Sequence, residues 1–130
     1  MIVLDASAAL EWLLQTSAGL QIERRIYSRN ESLHSPHLLD IEVAQVLRRL
    51  VSSGRISAMR GEEAVRDLRA LRFTRYAHDI FLSRIWQHRQ NLSAYDAAYV
   101  ALAEDLGAPL ITRDKRLSLA SGHAARVEVF

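Results

Sequence analysis

Apolar residues fall along this chain in short blocks, and the most sharply bounded stretch runs from Asn91 to Leu117. Ser93 stands at an N-cap position with Asp96 three residues on, the spacing of a capping box. Tyr95, Tyr99, Leu102 and Leu106 recur at three- and four-residue steps, which predicts a helix with one apolar stripe. Gly107 closes that helix and Pro109 prevents it from restarting. Leu110 and Ile111 then form a run too short for a helix and suited to a buried strand. Thr112, Arg113 and Asp114 leave that strand at its C-terminal end.

The rest of the chain reads the same way. Ile2 to Leu4 predicts a strand that stops at Asp5, and Ala8, Leu10, Leu13 and Leu14 predict a helix to about Gln15. A second helix is expected from about Ala18 to Arg29 and a second strand over Glu31 to Ser35. Ser35 followed by Pro36 matches an N-cap and a proline at the first helical position. The helix so begun carries Leu39, Val43, Val46, Leu47 and Leu50 on one face and ends at Gly54. From about Ser57 to Leu71, Ala64, Val65, Leu68 and Leu71 face inward and Arg66, Arg69 and Arg72 outward. Phe73 to Ala77 predicts a third strand, and His78 to Gln90 a helix with Ile80, Phe81, Ile85 and Trp86 as its apolar members. Arg126 to Phe130 predicts a last strand.

Strands alternating with helices imply an α/β fold, a three-layer sandwich around a mainly parallel central sheet. Right-handed crossovers place helices on both faces. The C-terminal strand ends then share one rim, where open parallel sheets hold their ligands. With 130 residues, no repeat and no linker, residues 1–130 form a single domain. No apolar run approaches the ~20 residues of a membrane span. The start lacks a basic segment and Asp5 interrupts its apolar run, so neither a signal peptide nor a membrane is expected. The absence of cysteine excludes disulfides and thiolate metal sites and fits a cytoplasmic location. Net charge is +2, yet of the 17 basic residues only Lys115 is a lysine. Guanidinium groups match phosphate geometry, which favours a nucleic-acid partner over a merely solvated basic surface only slightly.

Four carboxylates fall where the rim is expected. Asp5 follows the first strand, Asp114 follows the penultimate one, and Asp96 lies in the first turn of its helix. Glu42 sits beside the apolar stripe of Leu39, Val43 and Val46, a costly place for a charge unless it is paired or binds a cation. Each has a plain alternative: a helix cap for Asp5 and Asp96, a turn residue for Asp114, a helix-edge position for Glu42. Clustered, they would repel one another, and Mg2+ or Mn2+ would relieve that repulsion through all-oxygen ligation. Such ions can polarise a phosphodiester and activate water. Ser7 and Thr112 could orient the carboxylates by hydrogen bonds, or simply cap and solvate.

Other chemistries are poorly served. No Walker A or dinucleotide-binding glycine motif occurs, and Ser7 lacks the flanking glycines of a nucleophile elbow. His34 and His37 flank a helix start and make a weak zinc pair, and His78, His88 and His123 are expected at the surface. A phosphatase with an aspartyl nucleophile is a further alternative, but Ser7 stands where its second Asp belongs.

The blocks I-V-L-D-A-S-A-A-L, H-L-L-D-I-E-V-A-Q-V-L-R-R and L-S-A-Y-D-A-A-Y-V-A-L-A-E-D-L-G-A-P-L-I-T-R-D-K-R-L together resemble the PIN-domain ribonucleases, specifically VapC-type toxins. The resemblance covers essentially the whole chain and implies that Asp5, Glu42, Asp96 and Asp114 are the family's acidic quartet, with Thr112 as its frequent companion. Gln45 departs from the pattern, standing where the family often has Asn, and would assist positioning. The resemblance further implies Mg2+- or Mn2+-dependent RNA cleavage to 5′-phosphate and 3′-hydroxyl ends, and a homodimer. It implies neutralisation by a VapB-type antitoxin, and operator DNA bound only through the antitoxin complex. Arg113, Lys115 and Arg116 flank the site as candidate phosphate contacts or as a solvated basic loop. The competing reading is a PIN-like interaction module without turnover.

Overall fold

A computed structural model describes residues 1–130. Five strands form one sheet: β1 (Ile2–Leu4), β2 (Leu33–Pro36), β3 (Phe73–Tyr76), β4 (Leu110–Thr112) and β5 (Val127–Val129). Their order is β3-β2-β1-β4-β5, and every neighbouring pair is parallel. The chain moves outward from β1 through β2 to β3, then returns to place β4 on the other side of β1. That reversal makes the crevice between β1 and β4 the switch point, where α/β sheets bind ligands beyond the strand C-termini. Leu4 pairs with Ile111, so the residues that follow, Asp5 and Thr112, meet there.

Seven α-helices cover the sheet: α1 (Ala6–Leu13), α2 (Ser17–Tyr27), α3 (Leu38–Ser52), α4 (Ala58–Ala70), α5 (Leu82–Gln87), α6 (Ala94–Leu106) and α7 (Lys115–Leu119). Helices α1 to α4 pack with one another, α5 packs on α6, and α6 lies against β1, β2 and β4. Residues Ala97 to Ala103 of α6 are all buried, and four alanines among those seven let the helix sit close to its neighbours. Ile2, Val3, Leu4, Leu110 and Ile111 are buried between the helical layers, as expected for strands covered on both faces. Helices α1 and α2 meet at Gly19, where a Cβ would lie 2.0 Å from the Glu11 carbonyl oxygen. Gly107 ends α6 in the left-handed conformation, φ +59°, that glycine adopts without penalty.

Several expectations fail for identifiable reasons. Ser35 does not cap α3: β2 continues through Pro36, paired with Tyr76, and the Ser35 hydroxyl donates to the Leu4 carbonyl at 3.0 Å. The segment after β3 is not one helix but a single 3-10 turn, Asp79–Phe81, followed by the short α5. Only Phe81 of its apolar residues is buried, while Ile80 and Trp86 are exposed and Arg89 stacks on the Trp86 ring. Val65 and Tyr95 also face outward. His88 is buried, with Nε2 unbonded and 3.7 Å from a Glu104 oxygen. His34 is buried too, bonded to Ser32 and Tyr76, so it forms no zinc pair with the exposed His37. No helix is long and apolar enough to cross a membrane.

Candidate active site

Asp5 ends β1 and begins α1. Its Oδ1 accepts from the Ala8 amide at 2.9 Å and the Ser7 hydroxyl at 2.7 Å. Its Oδ2 accepts from the Thr112 hydroxyl at 2.5 Å, across the β1–β4 crevice. The capping role and the rim position are therefore one geometry. Thr112 in turn accepts the Asp114 amide at 2.9 Å, and Ser7 accepts the Arg113 amide at 2.9 Å. These hydroxyls tie β1, α1 and the β4 loop into a single rigid corner. Asp5 is only 6% exposed, and burial pushes its carboxyl up despite the three donors; the Asp96 charge adds to the rise.

Glu42 lies on the second turn of α3, and its Oε1 accepts from the Tyr99 hydroxyl of α6 at 2.7 Å. Burial raises its carboxyl, the Tyr99 bond opposes this, and the charges of Asp5 and Asp96 push further upward. Asp96 stands in the first turn of α6, where Ser93 caps the helix by accepting the Asp96 amide at 3.1 Å. Burial raises the Asp96 carboxyl too; the Ser93 hydroxyl and the Arg116 charge oppose this and Asp114 reinforces it. Three acids from three elements thus stand within electrostatic reach of one another: Asp96 raises Asp5 and Glu42, and Asp5 raises Glu42.

Asp114 stands differently. It caps α7, and its carboxylate grips Arg116 through contacts as short as 2.6 Å, which hold it below the usual carboxylate range. Its charge reaches Asp96, but its oxygens face the guanidinium. No group of three His, Asp or Glu side chains is already drawn together as a cation cage. The donor chemistry nonetheless fits a hard divalent ion: oxygen ligands only, and three carboxylates disfavoured as bare anions.

The remaining candidates divide. Ser7 and Thr112 contact Asp5 directly. Gln45 does not reach the acids; its Oε1 accepts from Arg48 at 3.1 Å, although it lines the same groove as Glu42. Arg113 bonds the Phe130 carbonyl and lies 3.6 Å from Glu11, while Arg116 is committed to Asp114. Lys115 is exposed in the first turn of α7. A groove of about 910 Å3 opens beside the acids between α1 and α3, with Leu10, Leu14, Ile41 and Val46 along it and Glu42 and Arg113 at its wall. Tyr99 was legible only as a member of an apolar stripe; its position one turn after Asp96 on the same face was the sole available hint.

A sequence model described as the PIN domain matches residues 2–122. A VapC ribonuclease of Mycobacterium bovis is 49% identical over 118 residues, covering 91% of this chain and 89% of that protein. Ribonuclease VapC12 of Mycobacterium tuberculosis is 43% identical over 129 residues, covering 99% and 98%. Among solved structures, a Pyrobaculum aerophilum protein superposes with a TM-score of 0.71 at 21% identity, over 95% of this chain and 87% of that one. Mycobacterium tuberculosis VapC20, described as a sarcin-ricin loop cleaving toxin, gives 0.69 at 14% identity, over 95% and 97%. The two structures share the fold, and the two sequence relatives extend along nearly the whole chain: the protein belongs to the PIN-domain family, among the VapC ribonucleases.

Proposed function

We propose that this chain is an endoribonuclease toxin that hydrolyses RNA phosphodiester bonds with Mg2+ or Mn2+, leaving 5′-phosphate and 3′-hydroxyl ends. The observation that carries the reading is the set Asp5, Glu42 and Asp96: three mutually repelling, partly or wholly buried carboxylates at the sheet's switch point, none paired with a cationic side chain. Asp5 and Asp96 are the direct ligands in this reading, and Glu42 and Asp114 complete the site directly or through water. A bound ion there would polarise the phosphodiester and lower the pKa of water. Ser7 and Thr112 hold the Asp5 oxygens in place. One of the carboxylates takes the proton of the attacking water. Arg113, Lys115 and Arg116 border the site as phosphate contacts, and Arg116 would pass from Asp114 to the RNA backbone as the substrate arrives.

The groove between α1 and α3 suits the tail of a VapB-type antitoxin, since it interleaves Leu10, Leu14, Ile41 and Val46 with polar groups and opens beside Glu42. Operator DNA would be met only through that complex. Exposed Ile80, Leu82 and Trp86 offer an apolar area to a second copy in a homodimer. The cytoplasm is the compartment this reading requires. A silent interaction module has no use for three unpaired, desolvated acids, because each weakens the fold.

The test incubates purified antitoxin-free protein with total cellular RNA and Mg2+ or Mn2+, beside Asp96→Asn. Discrete cuts that require the metal and disappear in the variant support the reading. Metal-independent cleavage, or identical cleavage by both proteins, removes the acids from the mechanism.

A further inference from the structure

Tyr99 is 2% exposed, and its hydroxyl makes a single hydrogen bond, to Glu42 Oε1 at 2.7 Å. For Glu42 this is also the only bond: its carboxylate makes no ion pair, and Oε2 has no partner. A buried phenol needs an acceptor, but a backbone carbonyl or a water serves that need equally well. Here the acceptor is an acid from a different helix, 57 residues away in sequence. Glutamate has three rotatable side-chain bonds, and without this contact nothing would fix where its carboxylate stands over the rim.

The kind of donor matters as much as its position. Elsewhere in this chain guanidinium groups hold acids, as Arg75 holds Asp40 and Arg84 holds Glu104. A guanidinium neutralises the acid and competes with any incoming cation. A phenol orients it and leaves the negative charge intact. Asp5 is treated in the same manner, by two hydroxyls and an amide. Asp96 and Tyr99 lie one turn apart on α6, so a single helix face carries one acid and fixes the distance to another.

We propose that Tyr99 is a positioning residue that fixes Glu42 through Oε1 and so leaves the rest of its carboxylate free for a divalent cation. The proposal rests on the reading of the site as a metal-dependent nuclease centre. The test titrates Mn2+ into wild type, Tyr99→Phe, Glu42→Gln and the double variant. The electron paramagnetic resonance signal of free Mn2+ reports binding, and thermal melts run in parallel. Phenylalanine keeps the ring in its place and removes only the hydroxyl. Tyr99→Phe is expected to weaken Mn2+ binding by about 10–100-fold, the usual effect of losing a partner behind a metal ligand. The double variant should bind no more weakly than Glu42→Gln alone. Unchanged Mn2+ affinity in Tyr99→Phe while Glu42→Gln binds weakly overturns the positioning role and leaves the metal centre standing. Multiplying losses in the double variant also overturn it, since Tyr99 would then act other than through Glu42. No Mn2+ binding by the wild type defeats the nuclease reading itself, and the role of Tyr99 with it.

Discussion

Asp96→Asn should make the metal-free protein more stable while abolishing its activity. The Asp96 carboxyl lies above its ordinary value of 3.8 because burial and Asp114 disfavour its charge, and it in turn raises Asp5 and Glu42. Like charges several ångströms apart at an effective dielectric of about 20 repel by on the order of 2 kcal/mol, and water entering the half-open site reduces this to about 1. With two raised neighbours the relief is about 2 kcal/mol. Against it, the variant loses a favourable charge at the α6 N-terminus, worth about 0.3–1 kcal/mol. The Ser93 cap on the Asp96 amide is kept, while the carboxylate's interaction with the Ser93 hydroxyl and its attraction to Arg116 are weakened. The net gain is about 1 kcal/mol, or about 4 °C in Tm for a domain of this size. The sign with pH follows from linkage: a raised carboxyl costs nothing where it is protonated in both folded and unfolded chains. The advantage of Asn should therefore be absent below about pH 3.8 and grow as pH rises through the folded-state value. Differential scanning calorimetry between pH 4 and 7.5 reads it directly, and Mn2+ should reverse the order by stabilising the wild type selectively. A variant less stable than wild type at pH 7 without metal would show that Asp96 is an ordinary helix-cap acid and that the acids do not strain one another.

Three further outcomes test the surrounding structure. Gly19→Ala drives a Cβ into the Glu11 carbonyl at 2.0 Å and should cost about 2–3 kcal/mol in urea unfolding; a neutral result would place α1 and α2 further apart. Glu104 is bound by Arg84 at 2.7 and 2.8 Å and by the Ala124 amide at 2.9 Å, which lowers its carboxyl to about 2. Because this shift is downward, Glu104→Gln should lose about 2–3 kcal/mol at pH 7 after allowance for the partly exposed Arg84, and chemical denaturation should show the deficit vanish as pH falls from 4.5 toward 2. Arg116→Ala releases Asp114 from an 88% exposed guanidinium, so Tm should hardly move while Mn2+ affinity rises a few-fold by calorimetric titration; an unchanged affinity would mean that Asp114 takes no part in holding the ion.

Much of this was legible because the decisive signals are local. Asp5 stands where an apolar strand meets a helix start, and the Ser93–Asp96 and Gly107–Pro109 punctuation bounds α6 without reference to the rest of the chain. What escaped depends on partners distant in sequence. Ser35-Pro36 has the form of a helix start, but β3 pairs through Pro36 and the Leu4 carbonyl claims the serine hydroxyl. The apolar spacing of Ile80, Ile85 and Trp86 suggests a core-facing helix, yet a 3-10 turn shifts the register and leaves Ile80 and Trp86 outside. Helix α7, five residues long, is too short for a repeating apolar stripe to mark it, and its cap Asp114 also has the form of a turn acid. Gln45 followed Glu42 by one turn and was drawn instead to Arg48, its own helix neighbour. Tyr99 was sorted by its ring, while its function in this reading resides in its hydroxyl.

The distribution of arginine sharpens the case for the site. This chain has 17 basic residues, nearly all of them arginine, and places them on acids with regularity: Arg25 on Glu31 and Glu128, Arg75 on Asp40, Arg84 on Glu104, Arg116 on Asp114. A protein so supplied could neutralise any carboxylate it buries, and a buried carboxylate left without a partner costs on the order of several kcal/mol. Asp5, Glu42 and Asp96 are nevertheless held only by hydroxyls and backbone amides or by nothing at all. Neutral donors fix geometry without cancelling charge. That choice destabilises the bare fold, and in the proposed reading the compensating positive charge comes from outside the chain. A divalent cation meets that requirement and matches the all-oxygen donor set. A cationic group on the proposed antitoxin tail, entering from the neighbouring groove, would meet it as well, in competition with the ion. Inhibition by the antitoxin and activation by the metal would then be two ways of answering one electrostatic deficit, and excess Mn2+ should slow antitoxin binding measured by surface plasmon resonance. An association rate indifferent to Mn2+ would separate the two sites and confine the deficit to the metal.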